Sequence, residues 1–309
     1  MPASASPGPP AEVRGLTKSF GSVRAVDGLD MVVRSGAVTG FLGPNGAGKT
    51  TTFRMLLGLA AADSGTALIE GLRYAELARP TTVVGASLDS AGFHPGRTAR
   101  DHLRVQAPFS GVDNRRCDEV LAQVGLTEAA ERRVGGFSTG MRQRLGLATA
   151  LLGDPRVLVL DEPANGLDPE GIVWLRGFLR HLAHERGRTV LVSSHVLGEV
   201  QASVDDVVVI ARGRLVHESS LEDLVALADP RVRVVTPDLA GFASMARRSG
   251  WSAEEDPTTG SLVVTGASPT EVGAAAYRER LEIHGLAEEG GSLEAVFLRL
   301  TADPHEVAP

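Results

Sequence analysis

The stretch Gly43-Pro44-Asn45-Gly46-Ala47-Gly48-Lys49-Thr50-Thr51 limits what this chain can be more than any other part of it. An apolar run, Val38-Thr39-Gly40-Phe41-Leu42, precedes it and predicts a buried strand. Lys49, Phe53, Met55, Leu56 and Leu57 follow at spacings that predict a helix. Glycines at 43, 46 and 48 let the backbone turn back and aim successive N–H groups at one point. The helix behind them adds the positive end of its dipole, so an anion is held there by the main chain alone. Lys49 is spaced to reach the β- and γ-phosphates of a nucleotide, and the Thr50 hydroxyl to ligate Mg²⁺. A plain glycine-rich turn between strand and helix is the alternative, but it would not require lysine and threonine at these offsets. The stretch therefore predicts a nucleoside triphosphate site at the edge of an α/β sheet.

With 309 residues, 43% of them hydrophobic and 22% charged, the chain has the profile of a globular protein large enough for two domains. The net charge of −7 gives no electrostatic reason to expect nucleic acid, which calls for an excess of Lys and Arg. Cys117 is the only cysteine; no disulfide can form within the chain, and the residue reads as a partly exposed helix position without a role. Residues 1–10 are Ala, Ser, Pro and Gly without a basic-then-apolar order, which predicts a disordered tail and not a signal peptide. No run of about 18 apolar residues occurs, so a membrane-spanning partner would have to be another polypeptide.

Strand-like and helical patterns alternate from Glu12 to Glu218. Val13–Phe20 and Ala25–Val33 predict an antiparallel layer; Thr66–Glu70 and Val83–Leu88 predict further strands; residues 98–152 turn helical. Arg156–Leu160 and Thr189–Val192 are short β-branched runs with a helical pattern from Pro169 to Glu185 between them, as buried parallel strands joined by a crossover helix require. Val207–Ile210 and Arg214–His217 flank Ala211-Arg212-Gly213 as a hairpin. Beyond about 228 the pattern changes to β-α-β-β-α-β-α. Arg231–Val235, Trp251–Glu255, Ser261–Thr265 and Leu281–Leu286 are its strands, and Leu239–Arg248, a helix begun by Ser268-Pro269-Thr270-Glu271, and Leu293–Leu300 its helices. The expected division is a tail at 1–10, a nucleotide-binding domain at 11–228 with a helical subdomain at about 98–152, and an accessory α+β domain of ferredoxin-like type at 229–309.

Val157-Leu158-Val159-Leu160-Asp161-Glu162 is a buried strand that ends on two carboxylates. In a parallel sheet its C-terminal end lies beside the phosphate-binding loop. Asp161 is placed there to hold Mg²⁺ through water, and Glu162 to face an attacking water. Adjacent carboxylates at a strand end are common by chance; the loop upstream and Pro163-Ala164-Asn165-Gly166-Leu167-Asp168 downstream give the pair its meaning. Phe137-Ser138-Thr139-Gly140-Met141-Arg142-Gln143-Arg144 places small residues before another helix and makes a second anion site. One chain with one phosphate loop does not need it, so it is read as completing the site of a second copy.

Together these features resemble the nucleotide-binding subunit of ABC transporters. Phe137–Met141 stands where the signature motif does, and Asp161-Glu162 resembles the Walker B pair. Asn165-Gly166-Leu167-Asp168 resembles the D-loop, and Ser193-Ser194-His195 ends on the switch histidine. The match spans about Glu12 to Glu218, and its five motifs come in the family's order. The insert Phe93-His94-Pro95 and the segment Ser292–Phe297 look most like the antibiotic-export subgroup of bacitracin- and daunorubicin-type subunits. The resemblance implies an ABC-type NTPase: a RecA-like α/β core with an antiparallel β layer and a helical subdomain. It implies ATP and Mg²⁺ as ligands, and a head-to-tail homodimer that clamps ATP. The clamp lies between one copy's Gly43, Pro44, Asn45, Gly46, Ala47, Gly48, Lys49, Thr50 and Thr51 and the other's Ser138, Thr139 and Gly140, with Asp168 in the same contact set. Lys49, Glu162 and His195 would be catalytic, Glu162 as general base and His195 as sensor of the γ-phosphate. Thr50 and Asp161 would hold the metal, joined by Asp89 where the family's Q-loop glutamine falls; Asp89 as an ordinary loop residue is equally open. Phe20 would stack on adenine, unless it is a core aromatic at a strand end.

Two further departures stand in the signature: Thr139 replaces the family's usual glycine, restricting the backbone by its branched side chain, and Met141 replaces glutamine. The expected function is an ATPase motor at the cytoplasmic face of the membrane, driving a separate permease that exports an antibiotic or other hydrophobic compound. A soluble ABC ATPase of translation or DNA maintenance is the alternative, but it calls for two cassettes or a long coiled-coil insertion. A regulatory ATP-binding module is a third reading, opposed by Glu162 and His195.

Overall fold

A computed structural model of the chain describes residues 8–88, 92–196, 198, 201–227, 231–289 and 293–302. The hairpin of β1 (Ala11–Phe20) and β2 (Val23–Val33) leads to β3 (Val38–Leu42). The glycine loop then enters α1 (Lys49–Leu56), and β4 (Ser64–Ile69) returns to pair with β1. These outer strands make an antiparallel sheet in the order β2-β1-β4. A helical turn α2 (Pro80–Val83) and strand β5 (Val84–Ser87) precede three helices, α3 (Ala99–Ser110), α4 (Asn114–Gln123) and α5 (Thr139–Leu151). Then come β6 (Val157–Leu160), α6 (Pro169–Arg180), β7 (Thr189–Ser194) and the hairpin of β8 (Asp206–Ala211) and β9 (Arg214–Ser220). The second sheet has the order β5-β6-β7-β3-β8-β9; it is parallel except for β9.

Every residue of β3, β6 and β7 is buried, as strands covered on both faces must be. One apolar cluster joins the two sheets through α1: Val13, Leu16 and Leu29 of the antiparallel layer, Phe53 of α1, and Phe41, Val159 and Leu191 of the parallel sheet. The Phe41 and Phe53 rings stack at 5.4 Å between centroids, which fixes α1 over the strand that feeds it. At the far end of α5 the approach is closer still. A Cβ on Gly85 of β5 would collide with the carbonyl oxygen of Ala150, and one on Gly153 with that of Thr81. Backbone meets backbone at that end of the helix.

Residues 222–299 form a compact unit of their own, separate from the chain up to Leu221. After the short helix α7 (Leu221–Ala226) it contains β10 (Arg231–Val235), α8 (Leu239–Arg248), β11 (Ser252–Asp256), β12 (Ser261–Thr265), α9 (Pro269–Arg278) and β13 (Gly285–Glu289), followed by α10 (Leu293–Thr301). The all-antiparallel order β11-β12-β10-β13 is the ferredoxin-like arrangement. Val232, Val234, Leu262 and Val264 face Phe242, Met245 and Val272 in its core. Ser268 caps α9: its Oγ accepts from Glu271 N at 3.3 Å, and Glu271 Oε2 accepts from Ser268 N at 2.8 Å.

Three local expectations are corrected, and one is refined. Val83–Leu88 is not one strand, because Pro80 starts a helical turn that ends at Val83 and leaves Val84–Ser87 to pair with β6. The helical pattern expected from Pro169 to Glu185 holds over that whole length, as an α-helix to Arg180 and a π-helical turn at His181–Glu185. The last strand of the ferredoxin-like unit is Gly285–Glu289, not Leu281–Leu286; Arg280 has a left-handed φ of 56°, and pairing with β10 begins at Gly285. Cys117 is not partly exposed but fully buried on the inner face of α4.

Candidate nucleotide-binding and catalytic site

The glycine loop leaves the end of β3, the strand between β7 and β8, and its form depends on having no side chain at two points. A Cβ on Gly43 would lie 2.5 Å from the carbonyl oxygen of Ile210. Gly48 has φ 105°, closed to other residues, and a Cβ there would strike the carbonyl oxygen of Ala25. The loop is tied to its surroundings by Ala47 N to Pro44 O (3.1 Å), Gly213 N to Ala47 O (3.0 Å) and Gly43 N to Ser194 O (3.3 Å). Lys49 is 6% exposed and folds back over the loop; its Nζ donates to Gly43 O at 2.7 Å and Pro44 O at 3.3 Å.

The two carboxylates meet this loop from β6. Thr50 Oγ1 donates to Asp161 Oδ2 at 2.6 Å, so the second residue of the helix and the one just past the strand share an oxygen-rich corner. The second oxygen of Asp161 accepts from Ser193 Oγ at 2.5 Å. The same Ser193 oxygen accepts the Glu162 N–H at 2.9 Å, which holds Glu162 in a left-handed backbone conformation, φ 48°. The Glu162 carboxylate is then gripped from both sides: Oε1 is 3.3 Å from Lys49 Nζ, and Oε2 is 2.8 Å from His195 Nδ1. His195 stands just past the end of β7, two residues beyond Ser193. The arrangement presents one carboxylate able to take a proton from water, set beside a cationic, main-chain-lined anion cradle.

Ser193 is the member that sequence reading passed over, quoted only as a neighbour of His195. The available signal was a hydroxyl at the buried end of an apolar strand, next in the sheet to the strand carrying both acids.

The remaining residues from the sequence take the following positions. Ser138 caps α5 through Met141 N at 3.3 Å, and Ser138 and Thr139 are exposed at that helix start. Among the described residues no hydrogen bond joins Ser138, Thr139 or Gly140 to Gly43–Thr51; Thr139 and Gly140 lie against Gly166 and Leu167 instead, and Gln143 bonds Asn165. Asp168 Oδ1 accepts from Gly171 N at 2.9 Å as the cap of α6. Phe20 ends β1 and is 56% exposed, which removes the core-aromatic reading, with the Lys18 ammonium 5.5 Å from its ring centroid. Asp89 lies outside the described residues.

A parallel sheet whose central strand runs through a glycine loop into a helix, with Lys49 and Thr50 at its mouth and Asp161 one strand beyond the neighbour, defines a phosphate-loop nucleoside triphosphatase. The particular branch is equally plain: the ABC transporter family model matches residues 26–165. The chain is 45% identical over 214 residues to the bacitracin transport ATP-binding protein BcrA of Bacillus licheniformis, covering 68% of this chain and 69% of that one. It is 36% identical over 301 residues to the Nod factor export ATP-binding protein I of Paraburkholderia xenovorans (strain LB400), covering 93% and 95%. A solved ATP-binding subunit of an ABC transporter superposes with TM-score 0.62 and 26% identity, over 70% of this chain and 92% of that one. The chain belongs to the ABC transporter family and is an ATP-hydrolysing subunit of that family. Residues 230–294 match a second family, described as a domain of unknown function (DUF8746).

Proposed function

We propose that two copies of this chain close head to tail over ATP, and that this closure drives a separate membrane permease exporting an antibiotic or other hydrophobic compound. The observation that carries the reading is the grip on Glu162 by Lys49 and His195, at 3.3 and 2.8 Å. It aims a base at the phosphate cradle, where Glu162 takes the proton of the attacking water and His195 holds the carboxylate in place. Lys49 and the N–H groups of residues 43–51 balance the charge of the β- and γ-phosphates. Phe20, exposed at the hairpin tip, stacks on adenine. Thr50 and Asp161 offer two hard oxygen donors 2.6 Å apart, a donor set that suits Mg²⁺, which would neutralise phosphate charge when bound. The exposed start of α5 at Ser138–Gly140, separate from this chain's own loop, supplies the anion site that the other copy's ATP needs.

The permease contact is assigned in this reading to an apolar groove of about 340 Å³ between the sheet and the helices, lined in part by Leu57, Leu59, Tyr74, Leu88 and Phe109. Leu59 and Phe109 are 68% and 78% exposed there, an arrangement suited to an apolar helix from a partner. Among the described residues no helix is long and apolar enough to cross a membrane. In this reading the chain works at the cytoplasmic face of the membrane, held by its permease, as the transport relatives suggest, and residues 229–309 act as an accessory interaction domain. Antibiotic cargo is supported by the bacitracin relative; the Nod factor relative argues for testing other exported compounds beside it.

Glu162→Gln tests the core of this: hydrolysis slows by ~10²–10⁴ and ATP-bound dimers accumulate on gel filtration. Undiminished hydrolysis removes Glu162 from the reaction. Affinity purification from gently solubilised membranes should bring down a multi-helix permease, and its cargo should raise ATP turnover. A chain retained equally by membranes lacking any permease contradicts the motor reading.

A further inference from the structure

The helix start that serves the opposite copy is bound, within its own chain, to the loop that follows Glu162. Gly166 has φ 74° and exposes bare backbone; a Cβ placed on it would lie 2.9 Å from Thr139 Cγ2, so the threonine methyl occupies the space over that glycine. Gly140 faces Leu167, whose Cδ2 would be 3.4 Å from a Cβ at 140, and Gln143 Nε2 donates to Asn165 O at 3.3 Å. The loop so held is a chain of turns, with Asn165 N bonded to Glu162 O and Leu167 N to Ala164 O, both at 3.1 Å, and Asp168 capping α6 at its end. Thr139, Gln143, Asn165 and Gly166 line one cleft of about 330 Å³ together with Asp161 and Glu162. A glycine at 139, the residue usual at this position, lacks the Cβ and Cγ2 that lie over Gly166.

We infer that Thr139 is a positioning residue that couples the two reaction centres. Its methyl keys the start of α5 to the 163–168 loop, so that engagement of Ser138–Gly140 with the partner copy's ATP is transmitted to this chain's own Glu162. The inference rests on the head-to-tail dimer proposed above. A purely local role for Thr139 in touching phosphate would depend on its hydroxyl; the relay depends on its methyl. The two are separable by substitution.

The test is ATP titration of hydrolysis by the full chain with Thr139→Ser, Thr139→Gly and Thr139→Val, alongside ATP-driven dimerisation in the Glu162→Gln background. The relay predicts a Hill coefficient near the two-site limit of about 2 for the unaltered chain. It should fall towards about 1 in the Ser and Gly variants, with kcat lowered ~3–10-fold and KM little moved, as for an interaction felt in the transition state. Thr139→Val, which keeps a methyl in place, restores cooperativity. Cooperativity intact in Thr139→Ser, or lost in Thr139→Val, overturns the relay while ATP-bound Glu162→Gln dimers leave the dimer reading standing. Absence of those dimers overturns the dimer reading, and the relay with it.

Discussion

Ser193→Ala is the sharpest probe of how the catalytic carboxylate is held. The hydroxyl is fully buried, donates to Asp161 at 2.5 Å and accepts from the Glu162 N–H at 2.9 Å. A hydrogen bond to an ionised group contributes about 1.5–3 kcal/mol, and a stranded N–H costs about 1 kcal/mol where water can partly reach it. The local loss is therefore about 3 kcal/mol, because alanine replaces neither partner. Part of it falls on stability: if about 1 kcal/mol is felt globally, Tm drops by about 2–4 °C for a domain of this size. The remaining ~2 kcal/mol falls on the poses of Asp161 and Glu162, both of which have lost their tie to this hydroxyl, and corresponds to a ~30-fold lower kcat at about 1.4 kcal/mol per tenfold. Affinity for ATP without Mg²⁺ changes little, since among the described residues no hydrogen bond joins Ser193 to the glycine loop. Phosphate release under saturating ATP measures kcat, and a thermal melt of the same sample measures Tm. A kcat within threefold of the parent, with Tm unmoved, refutes the view that Ser193 sets the pose of Glu162.

Three further outcomes are expected. Gly48→Ala has to leave a φ of 105° and clear the carbonyl of Ala25, a strain of about 2–4 kcal/mol, and should abolish ATP binding measured by calorimetry while the C-terminal unit stays folded. Phe20→Ala removes an exposed ring and should raise the Kd for ATP about 5–100-fold, from ~1–3 kcal/mol of base stacking, and a triphosphate without a base should bind both proteins alike. His102 is buried beside Phe93, both ring nitrogens lack a hydrogen-bond partner among the described residues, and burial, aided by the charge of Arg97, holds its pKa below the usual value of 6.5. The unfolded chain then binds the extra proton first, so stability is full above about pH 6.5 and declines as pH falls below it; Tm measured from pH 7.5 to 5 should drop less in His102→Leu than in the parent.

Elements that depend on neighbours in sequence were legible before any coordinates. The strand–glycine loop–helix at 38–57, the parallel strands at 157 and 189, the hairpin around Arg212 and the capping box at Ser268 all declare themselves through local periodicity and turn chemistry. What escaped was set by partners far along the chain. Ser193 gains its role only because β7 lies next to β6, which puts its hydroxyl across from acids about thirty residues away. Thr139 reads as a departure from a family pattern until Gly166 is seen beneath its methyl. The strand boundaries at Val84 and Gly285 were misjudged because the apolar runs begin before the pairing does, and in the second case the pairing continues through Glu288 and Glu289, where the apolar run has ended.

The bare contacts at Gly85 and Gly153 give α5 a fulcrum. Backbone pressed on backbone leaves no side chain to repack, so that end of the helix has little freedom to slide along the sheet. Its thirteen residues make an arm of about 20 Å, and a tilt of only about 10° about the anchored end swings Ser138 through about 3 Å. Such leverage lets a small adjustment near β5 open or shut the far tip by the width of a hydrogen bond. Lengthening the arm by one turn should therefore alter the stroke of the machine before it alters its chemistry.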